Sequence, residues 1–486
     1  MRIPLNPDSK TPLYRQIEHY IREAILDGSL EANTHLPPTR KLAEELGVSR
    51  ITVQNAYLEL ESDGLIAARE GSGTIVLPSM NELLPKQQND ILEWPLWQQA
   101  FSSETIHFPG RSTEQNSEHK ICFLGVGDPR EYPVRDFRKA VQDVLKQQQG
   151  ETLSYDEFQG GYMPLRRTIS HLLASQGIHV RAENVLITSG SQQALSLICQ
   201  VLLKPGDVIL VESPTYNLAL ELFESLQLKI ISIPVDQFGM CVDQVEPILQ
   251  RYHPRLIYTI PNFQNPSGVC MSASRRRELV ALADRYQIPI CEDDFVGDLR
   301  YDGRSKPALK ALDPGGRVLY IGTFSKMLMP GLRVGFMVAE GPVTAQLQKY
   351  KRVHDLTTSP FMQRVLYEFV NVGRYQSYIR RSSRMYRQRR DATVRAIRKY
   401  FGHELKFVIP HGGLFLWLKL PKGYQATELF KAAIKEGVEF APGTRFFVDK
   451  KIGEEFIRLN YAPLLPEEID EGIRRFRLAY QKANNI

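Results

Sequence analysis

Seven short apolar runs follow one another between residues 184 and 340: NVLITSG, VILVESP, KIISIPV, LIYTIPN, IPICEDD, VLYIGTFSK and VGFMVAE. Helical stretches such as SQQALSLICQVLL and SASRRRELVALADRYQ lie between several of them. Alternation of this kind predicts a mostly parallel sheet covered by helices. In such sheets ligands gather beyond the carboxyl ends of the strands, where loops begin. The polar residues at those ends are therefore the candidate site.

Taken singly, these strand-end motifs have ordinary explanations. TSGSQQAL places Ser189, Gly190, Ser191 and Gln192 at a strand-to-helix turn, which suits either an anion or a plain helix cap. PNFQNPSG reads as a turn around Pro266 and Gly268, and CEDD as a charged loop. Lys326, in IGTFSKMLMPGLRVGF, could be a surface lysine with a snorkelling stem. Their order and shared placement point further. A phosphate cradle, an aromatic wall (Tyr216), a donor (Asn265), a buried-prone acid (Asp293), a lysine and a second phosphate-binding cation (Arg333) are what pyridoxal 5′-phosphate requires. The aldehyde needs an amine, and the pyridine nitrogen needs an acid that favours its charged form.

The first 78 residues follow a different pattern. TPLYRQIEHYIREAILD repeats Leu13, Ile17, Ile21 and Ile25 at helix spacing, and Gly28 ends the run. In LPPTRKLAEELGVSRITVQNAYLELESDGLI, Thr39 can cap a short helix stopping at Gly47, and Ser49 a second one running to about Ser62. Two short helices around a glycine turn form a helix-turn-helix, whose second helix presents Ser49, Arg50, Thr52 and Gln54 to base edges. LIAAREGSGTIV reads as two strands around a Gly-Ser-Gly tip, a β-wing.

Charge does not make the DNA argument. The whole chain carries a formal +6, but residues 1–78 hold eight Lys and Arg against eleven Asp and Glu. The acids are expected on faces turned away from phosphate, as at Glu44, Glu45, Glu59 and Glu61. Residues 373–399 concentrate ten basic side chains against one acid, either as a solvated helix face or as a basic track supporting operator DNA. The start MRIPLNPDSK has no apolar h-region, and no stretch approaches the roughly 18 apolar residues of a membrane span, so a cytoplasmic protein without membrane contact is expected. Five scattered cysteines with no C-x-x-C pair suggest neither a disulfide framework nor a metal site. Residues 79–120, with Trp94 and Trp97 in EWPLWQQAF, read as a linker between a head at 1–78 and a body at 121–486.

The head resembles the winged helix-turn-helix of GntR-type regulators over residues 10–77. That resemblance makes Arg40, Ser49, Arg50, Thr52 and Gly73 the expected DNA contacts. The body resembles the fold-type I aminotransferases through TSGSQQAL, ESPTY, PNFQNPSG, EDDF, GTFSKMLMPGLRVG, HGGLFLWL, APGTRFF and IRLNYA. The resemblance implies that Lys326 forms the Schiff base with pyridoxal 5′-phosphate, Asp293 pairs with the pyridine nitrogen, Asn265 with the ring hydroxyl, and Tyr216 stacks on the ring. Ser191, Gln192, Thr323, Ser325 and Arg333 are expected to hold phosphate, with Tyr155 reaching it from a partner subunit. Arg458 is expected to receive a carboxylate.

The fold expected is an α+β winged helix-turn-helix domain, then an α/β PLP-dependent transferase domain with a small C-terminal α/β subdomain. This joint architecture resembles the MocR subfamily of GntR regulators. It implies a transcription factor that senses the cofactor, an amine or amino-acid effector, or both, as a head-to-tail domain-swapped homodimer on double-stranded operator DNA. A working aminotransferase carrying a DNA-binding head is the alternative. Two positions depart from related sites: Phe295 replaces a tyrosine that would bind the ring oxygen, and Leu218 replaces an arginine of the γ-aminobutyrate-sensing members.

Overall fold

The computed structural model describes residues 1, 3–7, 9, 11–69, 73–78, 120–125, 127–148, 150, 153–154 and 160–483. Residues 79–119, with Trp94 and Trp97, lie outside them, as do the wing tip at 70–72 and Tyr155. The chain divides into two units, Met1–Glu114 and Gln115–Ile486.

In the first unit, α1 (Leu13–Leu26) buries Ile17, Ile21 and Ile25, a four-residue repeat that keeps one face inward. Helix α2 (Thr39–Leu46) begins one residue earlier than a Thr39 cap requires, because Pro38 takes the cap position. The proline ring fixes φ, here −55°, and with ψ at 141° the residue is extended, so the helix starts directly after it. Gly47 closes α2 in the left-handed region at φ 67°. Ser49 caps α3 (Arg50–Ser62), its Oγ accepting from Thr52 N. Strands β2 (Ile66–Arg69) and β3 (Gly73–Val76) pair antiparallel, and β1 (His35–Leu36) joins on the far side of β3. A two-residue strand ahead of a proline pair has no periodicity to read, and sequence reasoning missed it. Ile17, Ile21, Leu42, Val53, Ala56, Leu60, Ile66 and Val76 fill the core.

The second unit opens with β4 (Ile121–Cys122) and is built on an eight-stranded sheet of β5 (Val185–Thr188), β6 (Val208–Ser213), β7 (Lys229–Asp236), β8 (Gly239–Met240), β9 (Leu256–Thr259), β10 (Ile290–Asp294), β11 (Val318–Thr323) and β12 (Gly335–Val338). The order is β5-β12-β11-β10-β9-β6-β7-β8. Neighbours from β11 through β7 run parallel, whereas β12 is antiparallel to both β11 and β5. The period-two alternation sorts side chains to two cores: Tyr258 and Cys291 meet Ala194 and Ile198 on one face, while Ile257 and Ile290 meet Leu279 and Ala283 on the other.

A smaller antiparallel sheet follows, β13 (Phe415–Lys419), β15 (Ala441–Pro442) and β16 (Phe456–Asn460), in the order β13-β16-β15. The helices Ala426–Lys435 and Pro466–Ala483 cover it, packing Leu429 and Phe476 against Leu416, Leu418, Ile457 and Leu459. Strand β14 (Val438–Glu439) pairs parallel with β4 and ties the start of the body to this subdomain. The basic segment is one helix, Arg374–Phe401, with a buried face. Arg389 pairs with Asp128 at 2.7 Å and Arg390 with Asp302 at 2.6 Å, while Arg387 and Lys399 pair with Asp302 and Asp470. These four are held in ion pairs within the body, and Arg384, Arg395 and Arg398 are exposed to solvent.

Candidate functional site

Asp293 sits near the carboxyl end of β10, on the same face as Cys291. Cys291 pairs in register with Tyr258 of β9, and the Tyr258 hydroxyl donates to Asp293 Oδ2 at 2.9 Å. The other oxygen, Oδ1, is buried and meets no partner among the described residues. Burial pushes this carboxyl up to about 7; the charge of Asp294 adds to the effect, and the Tyr258 hydrogen bond and Lys326 oppose it. Asp294, one residue on, faces the opposite side and accepts from Tyr320 at 2.8 Å and Asn262 at 3.3 Å.

The next parallel strand, β11, delivers Thr323, Ser325 and Lys326. Thr323 Oγ1 accepts from Ser325 N at 3.1 Å and fixes the bend after the strand. Ser325 Oγ is buried without a partner among the described residues. Burial lowers Lys326 to about 8, with Arg333 and Arg458 adding repulsion and Asp293 opposing it. A lysine held there offers a larger share of neutral, nucleophilic amine near neutrality than a solvated one.

The chain then turns through Arg333, in the left-handed region at φ 50°, and enters β12. Antiparallel pairing with β5 brings this turn to the Ser189–Gly190 turn, where Arg333 Nη2 donates to Ser189 O at 2.9 Å. Gly190 has φ 114°, and a Cβ there would lie 2.9 Å from Arg333 Nη2; a Cβ on Gly335 would lie 2.8 Å from Gly190. Only glycines permit this approach. The helix Ser191–Leu202 starts here with Ser191 and Gln192, presenting its N-terminal N–H groups. Gln192 Nε2 donates to Leu218 O at 3.1 Å, and its Oε1 is a further buried atom without a partner among the described residues.

Tyr216 follows β6 as the cap residue of the helix Asn217–Ser225, and burial raises its hydroxyl pKa. Asn265 Oδ1 accepts from Arg458 Nη1 at 2.8 Å, which leaves the Asn265 amide N–H groups to donate elsewhere. The Arg458 guanidinium lies 4.2 Å from the centre of the Phe415 ring and 4.8 Å from that of Phe446, and its Nε is buried without a partner among the described residues. Burial lowers Arg458 to about 9; Tyr216 opposes this and Arg445 adds to it. Phe295 stacks on Phe415 at 6.2 Å, so it supports the ring under Arg458. Leu218 is exposed.

The structure thus brings Ser191, Gln192, Tyr216, Asn265, Asp293, Thr323, Ser325, Lys326, Arg333 and Arg458 to one end of the sheet; Tyr155 lies outside the described residues. Four orphaned polar atoms lie on these residues, and beside the Gln192 amide oxygen the acid oxygen, the hydroxyl and the guanidinium nitrogen fit a ligand with a basic ring nitrogen, a phosphate and an added carboxylate. Among the described residues no group of three metal-ligating side chains is present. Sequence reasoning missed Tyr258, whose role depends on strand parity. It also missed Glu212, which accepts from Thr259 Oγ1 at 2.7 Å, Ile260 N at 3.2 Å and Gln264 Nε2 at 3.1 Å and so pins the loop carrying Asn265. Both could have been found from period-two facing, had the register been known.

In the head, Ser49, Arg50, Arg40 and Gly73 are exposed, and Gly73 has φ 86°. Thr52 is half-buried, its Oγ1 2.8 Å from Ser49 Oγ. Glu44, expected to turn away from DNA, lies 3.6 Å from the expected contact Arg40, one turn along α2. An i,i+4 pair shares one helix face, so these two cannot be segregated.

A model of the aminotransferase class I and II family matches residues 119–476, and one of the gntR family of bacterial regulatory proteins matches residues 13–76. The chain is 33% identical to the HTH-type transcriptional regulator YdfD of Bacillus subtilis, over 96% of this chain and 95% of that one. It is 31% identical to the probable rhizopine catabolism regulatory protein MocR of Rhizobium meliloti, over 98% and 95%. Among solved structures, LysN, the α-aminoadipate aminotransferase of Thermus thermophilus, complexed with N-(5′-phosphopyridoxyl)-L-leucine, superposes with a TM-score of 0.72 at 33% identity, covering 80% of this chain and 99% of that one. Among the described residues no helix is long and apolar enough to cross a membrane.

Proposed function

Since the chain belongs to the aminotransferase class I and II family and carries a gntR-family head, the pairing found in MocR-type transcriptional regulators, we propose that its body binds pyridoxal 5′-phosphate through Lys326 and senses an amine or amino acid. The observation that carries this reading is the buried, unpartnered Oδ1 of Asp293 beside a lysine lowered to about 8. When bound, the cofactor supplies an aldehyde for an amine and a ring that withdraws electrons. Asp293 holds a proton at the ring nitrogen, and Asn265 donates to the ring oxygen. Ser191, Gln192, Thr323, Ser325 and Arg333 hold the phosphate, and Tyr216 covers the ring. Arg458 receives the effector carboxylate, where a planar fork outperforms a lysine. With the cofactor held there, Lys326 would supply the amine for its aldehyde, an effector amine would compete for the same position, and the DNA-binding head would report that occupancy. The domains in this proposal are the head at 1–78, the linker at 79–120 and the body at 121–486, assembled as a head-to-tail homodimer on operator DNA.

The purified protein is expected to be yellow, and Lys326→Ala to lose the borohydride-reducible covalent adduct. An adduct retained by that variant would mean that another amine does this work. The presence of Lys326, Asp293 and Arg458 together favours a second reading, an aminotransferase with a DNA-binding head. Single-turnover incubation with a panel of amino acids separates the two, since only an enzyme releases a keto acid.

A further inference from the structure

The turn that forms the anion cradle is held from behind by an ion pair of a buried lysine and a half-buried aspartate. Lys351 and Asp355 lie one turn apart near the end of the helix Val343–Asp355, Nζ to Oδ1 at 2.8 Å, and Lys351 is only 4% exposed. The second oxygen of Asp355 accepts from Gln193 Nε2 at 2.9 Å and from Ser189 Oγ at 3.4 Å. Gln193 in turn uses its Oε1 to accept from Ser189 N at 2.7 Å. On the other side Arg333 donates to Ser189 O, and Thr188 Oγ1 donates to Gly190 O at 3.0 Å. Both backbone polar groups of Ser189 are therefore held, one of them through a relay that ends on Asp355.

We propose that Asp355 is a positioning residue, which acts through Gln193 to set the Ser189–Gly190 turn so that the amides opening the helix Ser191–Leu202 converge on the cofactor's phosphate. The proposal rests on the cofactor reading given above. The argument is geometric. Gly190, at φ 114°, leaves the turn free to pivot, and the Ser189 N–H would otherwise need a new acceptor. The ion pair is neutral as a whole, so its removal alters the direction of the N–H groups and leaves the net charge near the phosphate the same. The Asp355 side chain bonds to Ser189, Gln193 and Lys351 and to none of the residues assigned to the ring, so its loss is expected to be felt only by a ligand that carries phosphate.

The test compares pyridoxal 5′-phosphate with pyridoxal, which lacks the phosphate, on the full-length protein by absorbance titration. Lys351→Met with Asp355→Leu replaces the pair by apolar side chains of similar volume, a change buried pairs commonly tolerate. Gln193→Met cuts the relay and keeps the pair. Both variants are expected to weaken the phosphorylated ligand about tenfold and leave pyridoxal unchanged. Unchanged affinity for the phosphorylated ligand overturns the positioning role, and so does an equal loss for both ligands, which marks general damage. If the double variant is insoluble, Gln193→Met alone decides between these outcomes. Failure of the wild-type protein to take up pyridoxal 5′-phosphate overturns the cofactor reading itself, and this proposal with it.

Discussion

Asp293 makes the cofactor-free protein sensitive to pH. Its folded pKa of about 7 lies above the ordinary value of 3.8, so the folded state binds more protons than the unfolded one between those values. Stability contributed by this group is present at low pH and is lost as pH rises from about 4 to 7. Asp293→Asn is therefore expected to flatten the pH dependence of urea unfolding in that window by up to about 1.4 kcal/mol per pH unit. A slope identical to wild type would show that Glu212, Glu292 and the other buried acids carry the effect instead. Lys326, Asp293 and Asn265 can be singled out in the sequence because each residue type is chemically demanding and ends or follows a strand, whereas Arg458, in the middle of β16, stands out only through the resemblance. Tyr258 was not legible, because what makes it Asp293's partner is the lateral register of two strands whose pairing no local pattern records.

Elements join what the sequence separates. The alternation of apolar runs correctly announced a mostly parallel sheet, but it held no sign that β12 runs against its neighbours, since a buried strand reads alike in either direction. That reversal carries Arg333 to Gly190. Gly190→Ala is expected to keep the fold, because the clash falls on the end of a flexible arginine, but to push Arg333 out of the cradle and strain the turn at φ 114°. Affinity for pyridoxal 5′-phosphate should fall more than about tenfold while the far-ultraviolet circular dichroism is unchanged; wild-type affinity would show that Arg333 does not serve the phosphate. In the head, the glycine stop at Gly47 and the Ser49 cap were readable because both are single-residue backbone chemistry. Strand β1 is too short to announce itself.

At the scale of the whole molecule, the long basic helix raises the question of how far along DNA the protein reaches. With Arg389 and Arg390 spent on internal carboxylates, a track is left to exposed residues such as Arg384, Arg395 and Arg398. Replacing these three by Gln is expected to reduce the slope of log affinity against log salt by about 0.9 for each phosphate no longer neutralised, on a long operator but not on a duplex the heads alone cover. An unchanged slope would return the helix to solvent. The cradle also bears on how the protein is made and kept. Its two halves, the turn at 189–190 and Arg333, meet only when the first strand of the sheet, β5, has paired with the last, β12. A chain that stops short of β12 lacks that cradle, so a cofactor bound there favours only a body whose large sheet is assembled and shifts the folding equilibrium by mass action. Cells short of cofactor would then carry a larger unfolded fraction exposed to proteases, and would hold less of the protein, whatever signal it relays.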